Sequence, residues 1–356
     1  MKKQLENKYV KIGIACLCVV LLLFIAGFVY YNQSLKAVSS EEKAVALSVE
    51  EGSTSDQIIQ QLDDSNLIRN KTMTKLYMKI HGLTNIKAGN FILYTSWDTP
   101  KILEALNDAD MANADEVLIT FREGMWAKDI AALIEKNTQV KAADLLALWN
   151  DESYLTSLIK KYDFLSEDIL NDQYKVKLEG YLYPETYSFK KDATAEEITE
   201  TFLDQFQKII EPYMEDINKS DMSLHEVITF ASIVQYEAST KEDMEMISQV
   251  FYNRLERGMK LESSVTVCYA LYEDMTSGED CEVNTDIDSP YNTYQNEGLP
   301  IGPILNPGKD AIQSVLNPKN NDYLYFVADI YGDGTVYYSK TLQEQEANID
   351  KFNLRK

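Results

Sequence analysis

LSVEEGSTSDQIIQQL, residues 47–62, sets a β-rich run before a Glu-Gly pair and a helical apolar pattern after it. The same frame returns in ITFREGMWAKDIAALI, residues 119–134, with Glu-Gly and the first Ile in matching register. Gly52 and Gly124 fall at the turn between strand and helix, where freedom from a Cβ is useful. Ser53, Thr54 and Ser55 offer hydroxyls to cap the first helix. A lone βα unit cannot bury its apolar face, so each copy needs further strands, and AGNFILY (88–94) is the candidate for the first. The first copy, KLYMKIHG (75–82) and that strand make a small βα module over 45–112. Duplication and chance recurrence of a common βα turn both fit the repeat.

Outward from the repeat, the chain keeps mixing helices with short strands. DLLALWNDESYLTSLIKKY (144–162) has apolar positions at helical spacing, and helices are predicted at 195–210, 223–238 and 242–257. YLYFVAD (323–329) and TVYYSK (335–340) read as strands. The fold class this implies is α+β, with a larger α+β domain over 113–356 following the small module.

At the N-terminus, Lys2, Lys3, Lys8 and Lys11 precede an uncharged run from Ile12 to Tyr31. About 20 apolar residues suffice for a helix to cross a bilayer, and preceding lysines set a cytoplasmic N-terminus. The expectation is a tail over 1–11, a single transmembrane helix over 12–31, a polar stalk over 32–44 and an extracytoplasmic remainder. A cleaved signal peptide, with AVSS (37–40) at its cleavage site, is the rival reading. Cys16 and Cys18 lie in the apolar run. Cys268 and Cys281 would be exported, where a bridge can persist, but two free thiols fit equally well.

Composition narrows the chemistry. The 356 residues hold 34 Lys and Arg against 57 Asp and Glu, a net charge of −23, which argues against a nucleic-acid partner. The two histidines, His81 and His225, stand in no zinc-binding or triad spacing, and no metal or cofactor is expected. LEGYLYPETYSF (178–189), carrying Glu179 and Glu185, and SPYNTYQNEGLPIGPILNPG (289–308) crowd aromatics among Asn, Thr and Glu. That mixture suits a carbohydrate groove, where sugar faces stack and hydroxyls bond to amides and carboxylates. A Tyr-rich core with a Pro-rich crossing loop has the same composition.

ITFASIVQYEAST (228–240) is the third informative segment. Val227, Ala231, Val234 and Ala238 recur at helical spacing, and Phe230, Val234 and Glu237 line one edge of that stripe. A carboxyl among apolar neighbours keeps its proton to higher pH and can then act as a general acid. The alternative is a structural ion pair from Glu237 to Arg254 or Arg257 on the next helix.

These segments resemble the endolytic murein transglycosylases of the MltG/YceG-like family. The resemblance is carried by EGYLYPETY (179–187), ASIVQYEA (231–238), VFYNRL (250–255), SPYNTY (289–294), GLPIGPILNPG (298–308) and YLYFVAD (323–329), in that order. It implies a LysM-like module followed by a YceG-like catalytic domain, anchored in the cytoplasmic membrane. It implies cleavage, without water, of the MurNAc–GlcNAc β-1,4 bond of peptidoglycan strands, leaving 1,6-anhydroMurNAc ends. The second carboxylate of the family's ASIxExE motif, its catalytic acid, matches Glu237. With the sugar-like composition, the resemblance assigns Glu185, Tyr187, Gln235, Asn253, Tyr291, Asn292 and Tyr294 to substrate binding. Peptidoglycan synthases (penicillin-binding proteins) are the protein partners it suggests.

The chain departs from the family pattern at several points. Gln235 replaces the first glutamate, Ser264 and Val265 replace Asp-Pro, and Val336 and Gln345 replace histidines. LYEDMTSGEDCEVNTDIDSP (271–290) is an acidic variable insert. A water-using muramidase and a glycan-binding scaffold weakened in catalysis are the two competing functions.

Overall fold

The structure, a computed structural model, describes residues 19, 21–112, 116–329 and 332–354. They fall into two compact units. One runs up to Thr120 and takes in Thr186–Lys191, and the other comprises Phe121–Glu185 and Asp192 onward.

In the first unit, β1 (Ala44–Val49) leads through a turn at Gly52 into α1 (Ser55–Asp64). Of the three candidate hydroxyls, Thr54 is the cap, and Gln57 returns the bond to its backbone amide. α2 (Lys71–Ile80) follows, and β2 (Gly89–Tyr94) then pairs antiparallel with β1, from Ala44 opposite Tyr94 to Val49 opposite Gly89. The expected partner strand is therefore the real one. Its inward residues Phe91 and Leu93 join Leu47, Val49, Ile58, Leu62 and, from α3 (Thr99–Asn107), Ile102 and Leu106 in one core. β3 (Glu116–Thr120) pairs with β4 (Thr186–Lys190), Thr120 opposite Thr186.

Residues 21–34 are helical, and Leu21, Leu22, Leu23, Phe24, Phe28 and Tyr30 on this stretch are exposed. No helix among the described residues is long and apolar enough to cross a membrane. The expected tail (1–11) and much of the first half of the expected span, with Cys16 and Cys18, lie outside the described residues.

The second unit is mainly helical. It contains α4 (Ala127–Asn137), α5 (Ala142–Leu148), α6 (Glu152–Lys161), α7 (Ala195–Ile210), α8 (Met214–Lys219), α9 (Leu224–Glu237) and α10 (Lys241–Glu256). α11 (Ser264–Leu271), α12 (Glu279–Val283) and α13 (Lys309–Leu316) follow. β5 (Tyr325–Ala328) and β6 (Val336–Ser339) pair antiparallel, and α14 (Leu342–Phe352) packs on both. Small antiparallel sheets among helices make the chain α+β.

α9 is the centre of this unit. A single apolar stripe is expected from its spacing, yet every residue from Val227 to Val234 is buried. The reason is that α10, α11 and α13 all pack against it, covering these middle turns on every side. Its start is fixed by a reciprocal cap between Ser223 and Glu226.

Candidate active site

α9 ends at Glu237, where the backbone turns extended at Ala238. Gln235 and Glu237 are half-buried on this last turn, whereas Tyr236 between them is 64% exposed. Burial raises the Glu237 carboxyl to about 7, against an opposing hydrogen bond from Ser263 and with a further rise from the negative charge of Glu282. The Ser263 hydroxyl donates to Glu237 Oε1 at 2.5 Å. The ion pair considered as an alternative does not form with Arg254. That guanidinium bonds Glu262 Oε2 at 3.0 Å and the carbonyls of Lys260, Leu261 and Leu324.

Ser263 is itself locked in place. Its amide donates to Thr293 Oγ1 at 3.1 Å and its carbonyl accepts from Thr266 Oγ1 at 2.7 Å. The two threonine hydroxyls lie 2.9 Å apart, both buried. Since Thr266 spends its proton on the Ser263 carbonyl, it accepts from Thr293. The Thr293 of SPYNTY thus fixes the backbone whose hydroxyl orients Glu237.

The same unit holds a second raised carboxyl. Glu179, 2% exposed, is pushed up to about 8 by burial. It accepts from the Ala127 amide at 2.9 Å, from Asn306 Nδ2 at 2.7 Å and from the Tyr269 hydroxyl at 3.0 Å. Asn306 Oδ1 also accepts from the amides of Gly180 and Leu182. These bonds tie the start of EGYLYPETY to the end of GLPIGPILNPG, and α11 to both.

Gln235 Oε1 accepts from the Gly308 amide at 2.8 Å, and its Nε2 donates to Glu123 Oε2 at 3.4 Å. A Cβ on Gly308 would overlap the Glu123 carboxyl, so glycine is what admits that group. The remaining expected binding residues are spread more widely. Tyr294 is partly exposed and has Glu237 and Glu282 among its charged neighbours, while its amide donates to Asn292 Oδ1. Asn292 is enclosed and gives its Nδ2 to the carbonyls of Thr285 and Ile287. Tyr291 is buried edge-on to Tyr269. Asn253 is buried on α10, bonding the Asn321 and Tyr323 carbonyls. Glu185 is half-buried and, with Glu123 and Asp310, raises the Tyr183 hydroxyl further, on top of its burial. Tyr187 is buried on β4, in the first unit, opposite Ile119.

Ser263 and Glu123 are the neighbours that sequence reasoning missed. The first hides in LESS beside Ser264, which stands out only as a departure from the family pattern. The second belongs to the Glu-Gly turn of the repeat. Cys268 of α11 and Cys281 of α12 form a disulfide, Cα atoms 4.8 Å apart. Among the described residues no group of three His, Cys, Asp or Glu side chains could hold a metal ion.

The chain matches the YceG-like family profile over residues 47–351. It is 34% identical over 336 residues to the endolytic murein transglycosylase of Bacillus subtilis (strain 168), covering 93% of this chain and 91% of that protein. To the endolytic murein transglycosylase of Streptococcus pneumoniae serotype 2 it is 33% identical, over 91% of this chain. It spans only 61% of that relative's length. A crystal structure of a YceG-like protein from Listeria monocytogenes superposes with a TM-score of 0.61 at 36% identity, covering 86% of this chain and 98% of the other.

Proposed function

The chain belongs to the YceG-like family, and from that premise we propose that it is a lytic transglycosylase of peptidoglycan with Glu237 as its general acid and base. The observation that carries this is the half-buried carboxyl at the end of α9, raised to about 7 and held through one oxygen by Ser263. Ser263 donates to Oε1, so the acid's own proton resides on Oε2 and is free to be given away.

In the proposed reaction that proton passes to the oxygen of the MurNAc–GlcNAc β-1,4 bond as the bond breaks and positive charge develops at MurNAc C1. The carboxylate left behind takes the proton of the MurNAc C6 hydroxyl, whose oxygen closes on C1. Glu237 ends as it began, and no water is consumed. Ordinary glycosidases need a second carboxylate to activate water or to form a covalent intermediate. Here the substrate supplies the nucleophile, so one carboxyl serves both steps.

The test is digestion of purified glycan strands by the full chain in detergent, with mass analysis of the products. Anhydro ends, one water lighter than muramidase products, are expected. Glu237→Gln should lower the rate by about 10²–10⁴-fold, the usual worth of a general acid, with glycan binding retained. Full activity in that variant would remove Glu237 from the mechanism. Binding without cleavage by the wild-type chain would leave the scaffold reading, which Gln235 in place of the first glutamate favours.

The reading extends to a membrane anchor at residues 12–31 with the rest of the chain outside the cytoplasm. The exposed apolar side chains of helical residues 21–30 support it, as does a disulfide suited to an oxidising compartment. Cysteine labelling that finds residues 100–356 on the cytoplasmic side would overturn it. Synthase partners rest on the family resemblance alone.

A further inference from the structure

Among its described residues the second unit encloses the aromatic side chains with one exception. Beyond the N-terminal helix, every described Tyr, Phe and Trp is buried or half-buried except Tyr236. Leaving a ring in water forgoes the burial that the fold gives to the others. The exposed ring belongs to the residue immediately before Glu237.

One side of that ring has a floor. A Cβ built on Gly124 would stand 3.5 Å from Tyr236 Cδ2 and 3.6 Å from Cε2, ordinary contact distance. The ring therefore lies over the Glu-Gly turn. Gly124 adopts φ +81°, and its amide donates to the Asn306 carbonyl at 2.9 Å, which fixes the turn beneath the ring. Gly124 is thus required for its backbone conformation, which a side chain would strain. Beside the ring are Gln235 and Glu123, already bonded to one another. The other side of the ring faces solvent.

An aromatic ring supported from below, bare above and flanked by amide and carboxylate groups is a surface suited to the apolar C–H face of a sugar. We propose that Tyr236 is a stacking platform for a pyranose ring of the glycan strand, one of the two sugars flanking the bond that Glu237 cleaves. This rests on the transglycosylase reading and deepens it by assigning a subsite. Tyr236 takes no part in proton transfer. It fixes where the strand lies relative to the acid, and the ring face does so, not the hydroxyl.

The experiment compares the full chain with Tyr236→Ala, Tyr236→Phe and Tyr236→Trp, measuring direct binding of purified glycan strands, KM, kcat and the pH profile. Tyr236→Ala should weaken binding and raise KM roughly two- to tenfold, the range that aromatic stacking spans. Its alkaline limb should stay where the wild type has it, and Phe and Trp should restore binding. The side chain is exposed, so thermal midpoints should match and a folding defect is not expected to intrude. Unchanged binding and KM in Tyr236→Ala would overturn the platform while wild-type cleavage kept the enzyme reading intact. Loss of binding in Tyr236→Phe as large as in Tyr236→Ala would also overturn it, by assigning the effect to the hydroxyl. If the wild-type chain binds strands without cleaving them and Tyr236→Ala binds more weakly, the enzyme reading fails and the platform stands. If the wild-type chain binds no glycan, the platform falls.

Discussion

A hydroxyl in hydrogen-bond contact with an acid changes both where its proton sits and how tightly it is held. The Ser263 hydroxyl favours the charged form of Glu237 and so works against burial. Ser263→Ala should therefore raise the carboxyl further above about 7 and move the alkaline limb of the rate profile to higher pH. At its optimum the variant should be roughly 10- to 150-fold slower, because a hydrogen bond to a charged group is worth about 1.5–3 kcal/mol and the carboxyl loses its fixed orientation. A pH–rate profile that overlays the wild type would show that Ser263 does not act on the acid. Ser263 could not be read from the sequence, since a serine before a short helix looks like any cap. What matters is a contact across 26 residues that no local pattern encodes. The partial burial of the Glu237 carboxyl, by contrast, was legible because its spacing set a carboxyl against an apolar stripe, whereas its role as the acid comes from the family resemblance.

Among the elements, those with local punctuation were the ones the sequence revealed. α7 and α10 begin at threonine caps, and their bounds agree with expectation to within a residue. β1 with β2 was foreseeable because the two strands share a short module. The pairing of β3 with β4 was not, because Thr120 and Thr186 meet across 66 residues. The burial of the middle turns of α9 on every side escaped for a related reason: periodicity reveals one face and cannot count the helices that will cover the others. Between α11 and α12 the Cys268–Cys281 bridge closes a loop with a sequence separation of 13. Glu282 follows the second cysteine, and its charge helps to raise Glu237. Replacing both cysteines by serine should cost about 3 kcal/mol in the chain-entropy picture, a loss of several degrees in thermal midpoint. With α12 released, the alkaline limb should drift to lower pH. A melting curve indifferent to reductant would show that the bridge does not stabilise the native fold.

Over the whole molecule, the two raised carboxyls act together on stability. Glu179 rises from 4.5 to about 8 and Glu237 from 4.5 to about 7, both chiefly through burial. A carboxyl raised on folding stabilises the native state fully below its unfolded value, and that contribution is lost as pH rises through the folded value. The thermal midpoint should therefore decline from about pH 4.5 to 8. Glu179→Gln, which keeps the shape but cannot ionise, should flatten that decline and recover up to a few kcal/mol at the alkaline end. An equally steep decline in the variant would place the titration elsewhere. This acidic chain, with a net charge of −23, thus stores two of its carboxyls where they resist ionisation. Along α9, meanwhile, the backbone amides from Ile228 to Val234 lie within an enclosed helix gripped by three others. Such protons reach solvent deuterium only when the whole unit opens, so their exchange clock reads global unfolding. The proposed acid ends a stretch whose amides should exchange only on global opening. Thermal loss of its geometry should thus coincide with loss of the fold, with no softer intermediate in which the protein is folded but its acid has wandered.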